Sequence, residues 1–224
     1  MRPSILCLYP IDSRERYGIK FLKFLKGYIG VCNICEKIVL FKIKSQNIRE
    51  DVICSHCHSC NRKRQIVEVL LKFAENFSGI RMSKISDLKK TSIKIFNTEI
   101  GDPLDKRLSE VLSHSNYIAA TFYGNKYKSG SMANGCLIQD LKRTSFPDEF
   151  FDVVITSEVM EHISSPYEAF KEIYRITKLG GSHIFSAPFY QEKYEDEVRE
   201  IEDENGENIF FKEKIFHADP NNND

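Results

Sequence analysis

The chain has 224 residues, of which 42% are hydrophobic, and its 32 Lys and Arg residues balance 32 Asp and Glu residues. This length allows one medium-sized domain with a small appended module. The neutral net charge gives no reason to expect a nucleic acid partner, and no apolar run approaches the roughly 18 residues needed to span a membrane. Since the N-terminus also lacks the continuous apolar stretch of a secretory signal, the sequence predicts a cytoplasmic protein with reduced thiols.

Five of the seven cysteines lie between residues 32 and 60. Cys32-x2-Cys35 and Cys54-x2-Cys57 are separated by 18 residues, a spacing typical of a structural zinc site made of two knuckles. Each two-residue gap lets a tight turn direct two thiolates at one tetrahedral centre, and the closed shell leaves no position for a substrate. The sequence therefore predicts a structural Zn²⁺ ion held by these four cysteines.

The residues around the second knuckle leave one alternative open and predict a helix. His58 or Cys60 could replace Cys57 as a ligand without violating any spacing rule. Asn61 is a good N-cap for a helix of about four turns that opens with Arg62-Lys63-Arg64. A basic triplet without interleaved aromatic residues is weak evidence for nucleic acid binding, so we interpret it as a solvated helix start.

The following part of the chain alternates between strand and helix patterns. Amphipathic helices are predicted after Asp102-Pro103 and after a capping box formed by Ser165 and Glu168, with Gly180 and Gly181 ending the second helix. The predicted strands are residues 92–96, 117–120, 136–138, 151–155 and 183–187. This order indicates an α/β fold with a doubly wound, mostly parallel sheet and ligands at the carboxyl ends of its strands.

Four motifs resemble the type 11 group of class I S-adenosylmethionine (SAM) dependent methyltransferases. They are Asp140-Leu141, the stretch from Phe146 to Asp152, the stretch from Ser157 to His162, and Lys178-Leu179-Gly180-Gly181. The resemblance covers about residues 92–190, and a subgroup of these enzymes carries an N-terminal cysteine module. It implies a Rossmann-like methyltransferase fold, SAM as the cofactor and an unidentified methyl acceptor.

The resemblance also implies which residues contact the cofactor. Asp140 and Leu141, with Gln139 before them, would lie against the adenine, while Thr156, Ser157 and Glu158 would border the methionine end. The loop after the first strand and the end of the second strand would form the other side of the pocket, through Asn97, Thr98, Glu99, Gly101 and Thr121. No catalytic residue is implied, although His162 is the nearest candidate by position.

Three features depart from the family pattern. The first loop contains a single glycine, Gly101, where close approach of backbone to the cofactor calls for several. Thr121 stands where these folds place an acidic residue on the ribose hydroxyls. Only residues 189–224 remain for the two closing strands, so we expect a C-terminally shortened chain whose last strand is exposed unless a protein partner or the acidic tail covers it. These departures leave an alternative function, a catalytically impaired methyltransferase-like protein that acts as a binding or interaction module.

Four segments are therefore predicted. Residues 1–61 form a basic N-terminal helix and the zinc-knuckle module, 62–90 a connecting helix and linker, 91–190 the methyltransferase-like domain, and 191–224 an acidic hairpin with its turn at 204–207 and a polar tail.

Overall fold

The computed structural model describes residues 4–7, 27–124, 126–188, 198–203 and 208–212. The described strands are β1 (Ser4–Cys7), β2 (Gly27–Val31), β3 (Ile38–Ile43), β4 (Val52–Cys54), β5 (Ile95–Asn97), β6 (Tyr117–Ala119), β7 (Met132–Ala133), β8 (Cys136–Leu137), β9 (Phe151–Ser157), β10 (Thr177–Ser186), β11 (Glu200–Glu202) and β12 (Asn208–Phe210). The described α-helices are α1 (Asn61–Ser78), α2 (Pro103–Val111) and α3 (Pro166–Ile176), and Ile85–Lys90 and Met160–His162 are short 3₁₀ helices. The predicted basic N-terminal helix lies outside the described residues except for residues 27 and 28, which begin β2.

Five parallel strands form the central sheet, in the order β1-β10-β9-β5-β6. The middle strand β9 is buried along its whole length, as is typical of a parallel strand with helices on both faces. Val153 of this strand packs in a core that includes α1 and α2, and Val154 packs in a second core that includes α3. The predicted α/β fold with a doubly wound parallel sheet is confirmed.

The prediction that residues 136–138 form the third strand of this sheet is wrong. Cys136–Leu137 pairs antiparallel with β7 instead. The cause is local, because Asn134 and Gly135 both adopt positive φ, 51° and 77°, and so form the two-residue turn of a tight hairpin. Ile138 then makes a single parallel bridge to Thr121, which still brings the end of β6 next to the segment after β8.

One edge of the sheet is formed by β1, near the beginning of the chain. Its residues pair in parallel with residues 182–185 of β10. This is the edge that was expected to be exposed, so that expectation is wrong along these residues. A protein partner for this edge stays a prediction.

The helix starts agree with the sequence, but two of the expected caps are wrong, those of Asn61 and Ser165. Asp102 caps α2 by accepting a hydrogen bond from the Asp105 N–H at 2.7 Å. α1 begins at Asn61 itself, with Cys60 in the N-cap position. α3 begins at Pro166, but the Ser165 side chain makes no cap hydrogen bond, so the predicted capping box does not form.

Gly180 and Gly181 do not end α3, which stops at Ile176. They lie inside β10, where its pairing register with β9 is interrupted. A Cβ atom on Gly181 would lie 2.8 Å from the Asp152 carbonyl oxygen and 2.9 Å from the Lys178 carbonyl oxygen. Gly181 is therefore needed because two backbone segments approach each other closely here. The prediction that the two glycines end the helix is wrong.

The cysteine module is a three-stranded antiparallel sheet, β2-β3-β4, that leads directly into α1. Phe41 of this sheet, Leu70 of α1 and Val153 of β9 belong to one buried cluster. The module and the parallel sheet thus share a continuous hydrophobic core, and α1 joins them.

The strands of the predicted acidic hairpin are present as β11 and β12, which pair antiparallel. The turn at 204–207 and the polar tail lie outside the described residues. Among the described helices, none combines the length and the apolar character that crossing a membrane requires.

Candidate functional site

Four cysteine thiols lie close together in the cysteine module. The Sγ atoms of Cys32, Cys35, Cys54 and Cys57 all lie within 4.8 Å of one another. Those of Cys32 and Cys57 are 3.7 Å apart, and those of Cys35 and Cys54 are 3.9 Å apart. Disulfide sulfurs would be about 2.05 Å apart. Four sulfurs at about 2.3 Å from one tetrahedral ion would be separated by about 3.8 Å. The cluster therefore has the dimensions of a tetrahedral thiolate site, and its donor set fits Zn²⁺.

The two knuckles are the same turn repeated. The residue after the second cysteine has positive φ in both, 60° at Glu36 and 62° at His58. In each turn its N–H donates to the carbonyl of the first cysteine, to Cys32 at 2.7 Å and to Cys54 at 3.1 Å. His58 and Cys60, the alternative ligands, are not part of the four-thiol group found among the described residues.

Hydrogen bonds and burial shift the pKa values of the thiols in this cluster in different directions. The hydrogen bond from Cys57 lowers the pKa of the Cys32 thiol, although burial opposes this shift, and the same hydrogen bond together with burial raises the pKa of Cys57. The backbone N–H groups of His56 and Cys57 each donate to the Cys54 sulfur at 3.4 Å. Donors around a thiolate stabilise its negative charge, so these groups prepare the site for a cation.

The second candidate site lies at the carboxyl edge of the parallel sheet. β5 lies between β9 and β6, and Asn97 at its end is in register with Ile155 and Ala119. The loop that follows is tied to the neighbouring strand, because the Thr98 N–H donates to the Ile155 carbonyl at 3.1 Å. The loop from residue 97 to 101 and the turn from Thr156 to Glu158 are thus brought side by side.

Asn97 is the buried centre of this edge, with 1% of its surface exposed. Its Nδ2 group donates to the Glu99 carbonyl at 2.9 Å and to the Tyr117 hydroxyl at 3.0 Å. The Tyr117 hydroxyl in turn donates to Asp105 at 2.8 Å, and Asp105 accepts from the Gly101 N–H at 2.7 Å. The Oδ1 atom of Asn97 is buried and has no hydrogen bond donor among the described residues. An acceptor in this state is suited to a donor group of a ligand.

The end of β6 and the segment after β8 complete the edge on the other side. Thr121 is buried, its N–H donates to the Leu137 carbonyl, and its carbonyl accepts from the Gln139 N–H, both at 2.9 Å. The Gln139 side chain is used internally, since its amide nitrogen and oxygen both bond to Ser145. Gln139 thus braces this loop through its side chain, and its role toward a ligand stays a prediction.

Asp140 and Leu141 follow directly. Asp140 stabilises a turn, because its Oδ1 accepts from the Lys142 N–H at 2.8 Å while its own N–H donates to Ser129. Leu141 is buried in the core that includes α3. The contact of these two residues with adenine stays a prediction.

The structure adds three basic residues, one in the cysteine module and two at the start of α1, that the sequence did not assign to this edge. Arg49 lies between the knuckles, and Arg62 and Lys63 open α1. Arg49 makes a two-point ion pair with Glu158, one contact being 3.0 Å. This pair holds the pKa of the Glu158 carboxyl below its usual range, against the opposing effect of burial.

Arg62 and Lys63 reach the two halves of the edge. The Arg62 guanidinium donates to the Ser157 hydroxyl and pairs with Glu50 at 2.7 Å. The Lys63 ammonium pairs with Glu99, and with Asp102 at 3.0 Å.

The expectation that this triplet is solvated is wrong. The side chains of Arg62 and Lys63 are 13% and 7% exposed, and Arg64 is buried with bonds to the carbonyls of Ser59 and Val52 at 2.6 and 2.8 Å. Burial lowers the pKa of Lys63, despite the neighbouring Asp102 carboxylate. The signal for this placement was present in the sequence as three adjacent cations at a helix start, where the dipole disfavours them unless they have partners.

Two histidines near the edge differ in accessibility. His162 is exposed and lies in the 3₁₀ helix that follows β9. His183 is buried on β10 and shares a 2.8 Å hydrogen bond with the Thr156 hydroxyl. Burial lowers the pKa of His183 to about 3. The neutral form of His183 is therefore a structural partner of Thr156.

Part of the chain is similar to known methyltransferases. Residues 109–185, from α2 to β10, match a family model described as a methyltransferase domain. The chain is similar to the uncharacterized methyltransferase C1B3.06c of Schizosaccharomyces pombe, with 33% identity over 73 residues that cover 29% of this chain and 26% of that protein. It is also similar to a solved protein of Methanococcus maripaludis assigned as an S-adenosyl-L-methionine-dependent methyltransferase, with 16% identity, a TM-score of 0.35, and coverage of 55% of this chain and 56% of that one. The matched segment thus spans about a quarter of the curated relative.

Proposed function

We propose that this chain, which contains a methyltransferase domain in residues 109–185, binds SAM at the carboxyl edge of its parallel sheet and transfers the methyl group to an acceptor. One observation carries the proposal. The buried Oδ1 of Asn97 is an acceptor without a donor among the described residues, and it lies where β5 ends beside β9, the part of a doubly wound sheet at which ligands bind. When bound, SAM supplies an electrophilic methyl group on its sulfonium.

The residues of the chain act in this proposal mainly by positioning. Asn97 accepts a hydrogen bond from the ligand, and the network through Tyr117 and Asp105 keeps its amide in one orientation. The buried Ser157 and the half-buried Glu158 border the same space from β9. Methyl transfer by in-line displacement requires alignment of donor and acceptor more than acid or base chemistry, so a rigid edge is sufficient for it.

The four-cysteine cluster has a structural role in this proposal. Cys32, Cys35, Cys54 and Cys57 would hold Zn²⁺ with all four positions of the tetrahedron filled by protein. The ion would fix the end of the module from which Arg62 and Lys63 extend. It therefore supports the edge without entering the reaction.

Titration calorimetry with SAM and with its demethylated product S-adenosylhomocysteine (SAH) tests the proposal. We expect saturable binding of both, weakened about tenfold by Asn97→Ala, which removes the buried acceptor. Asn116→Ala is the matched control, because this half-buried asparagine precedes β6 at the opposite edge of the sheet. No saturable heat with either ligand for the folded protein would overturn the proposal.

A further inference from the structure

We infer that Arg62 and Lys63 bind the α-carboxylate of the cofactor's amino acid group, so that the first turn of α1, directly after the cysteine module, forms part of the cofactor site. This inference rests on the proposed function and extends it to residues outside the matched segment 109–185.

Two backbone N–H groups of the loop after β5 are already used within the protein. In glycine-rich loops of this fold, free N–H groups face the ligand. Here the Thr98 N–H already donates to the Ile155 carbonyl, and the Gly101 N–H donates to Asp105. The Glu99 side chain adds a negative charge to the same loop. A ligand carboxylate at this place would therefore be stabilised by positive charges from outside the loop.

Arg62 and Lys63 both reach this place. The Lys63 ammonium contacts Glu99 in the loop after β5, and the Arg62 guanidinium contacts Ser157 in the turn after β9. Their side chains are 7% and 13% exposed, so their charges act in a medium that screens them weakly. Together they bridge the two segments that border the ligand space in the proposed function.

The charges around the two cations suit a ligand that carries both signs. Three cations, Arg49, Arg62 and Lys63, stand against four carboxylates, Glu50, Glu99, Asp102 and Glu158. A simple anion would compete with these carboxylates, and a simple cation would compete with the basic groups. An α-amino acid group offers a carboxylate to Arg62 and Lys63 and an ammonium to Glu99 and to the unpaired Asn97 Oδ1. It can therefore replace the existing pairs without leaving a buried charge alone.

A pair of ligands isolates this contribution. SAH carries the amino acid group, whereas 5′-methylthioadenosine has the same nucleoside and thioether but lacks it. We expect wild-type protein to bind SAH more tightly, and Arg62→Gln and Lys63→Gln to weaken SAH binding about 10- to 100-fold while changing methylthioadenosine binding less than about threefold. The conservative Arg62→Lys variant should retain most of the SAH affinity, because the charge remains.

Lys72→Gln is the matched control, since it removes the same charge from an exposed position of the same helix. Equal losses for both ligands would show that Arg62 and Lys63 act only through the fold, and unchanged or tighter SAH binding would show that their ion pairs close the site; either result overturns the inference. If wild-type protein bound both ligands and the variants left the ratio of the two affinities unchanged, the inference would be wrong and the proposed function would survive. If it bound neither, both would fall. Thermal unfolding of each variant identifies those that do not fold, for which Lys63→Arg provides a charge-retaining replacement.

Discussion

The Arg49 guanidinium holds Glu158 in a two-point ion pair, and Glu158 has the left-handed backbone conformation, with φ of 56°. A non-glycine residue in this region is strained by roughly 1 kcal/mol, and such strain persists where surrounding contacts maintain it. The Glu158 N–H also donates to the Ser186 carbonyl at 3.0 Å, which ties the turn to β10. The module thus fixes the conformation of the turn after β9 as well as covering it.

A double-mutant cycle measures this relationship. Arg49→Met and Glu158→Gln should each destabilise the fold, and their effects should couple by about 1 kcal/mol, as for partly exposed two-point pairs. Glu158→Gly loses the same pair but relieves the backbone, so it should cost less than Glu158→Ala by about 1 kcal/mol. Urea unfolding followed by circular dichroism gives these free energies. Additive effects of the two single variants would contradict a direct pair.

Metal content provides the second prediction. We expect one zinc ion per chain by elemental analysis, and loss of that ion together with a marked fall in thermal stability in Cys32→Ser and Cys54→Ser. The stability loss should extend to α1 and the parallel sheet, because Phe41 of the module and Val153 of the sheet share one core with α1. Cys136→Ser is the control, since Cys136 lies outside the cluster. Stoichiometric zinc in Cys54→Ser would contradict the four-thiolate site.

The paired glycines of β10 give a third prediction. Gly181→Ala should destabilise the fold by about 2 to 3 kcal/mol, because the added Cβ would meet two backbone oxygens at 2.8 and 2.9 Å that cannot easily move. Gly180→Ala meets nothing within 4 Å and is penalised only by its φ of 83°, so about 1 kcal/mol is expected. Denaturant unfolding of the two variants checks the difference. A larger effect at Gly180 would argue against the close approach described here.

Local sequence patterns predicted most of the fold. The buried strand β9 and the Asp102 cap of α2 could be recognised because their signals are contained within a few residues. The four cysteines were recognised from spacing, and the structure brings their sulfurs together. The segment at residues 136–138 was assigned wrongly because a preceding turn with positive φ, invisible to a hydrophobic pattern, folded it into a hairpin.

The parts that were missed depend on contacts distant in sequence. The pairing of β1 with β10 joins residues near 5 and 184, which no local pattern relates. The burial of Arg62 and Lys63 arises because α1 docks against the sheet and brings them to Glu99 and Ser157. Half of the candidate site therefore follows from tertiary packing, since a basic triplet alone does not specify whether its partners are water or carboxylates.

Acid stability provides the last prediction, through the buried His183. Its pKa in the folded protein is lowered by burial to about 3, whereas the ordinary value is 6.5. Below pH 6.5 the unfolded chain binds a proton at this histidine that the folded chain does not bind. The stability that neutral His183 contributes is therefore fully present above pH 6.5 and is lost as the pH falls toward 3. The free energy of unfolding should therefore fall by about 2 kcal/mol between pH 6.5 and pH 5 from this group alone. In His183→Gln this fall should disappear, although the variant is less stable at neutral pH, while His114→Gln at an exposed position should retain it. Urea unfolding at several pH values measures the slopes, and parallel slopes for wild type and His183→Gln would mean that His183 is protonated in the folded protein.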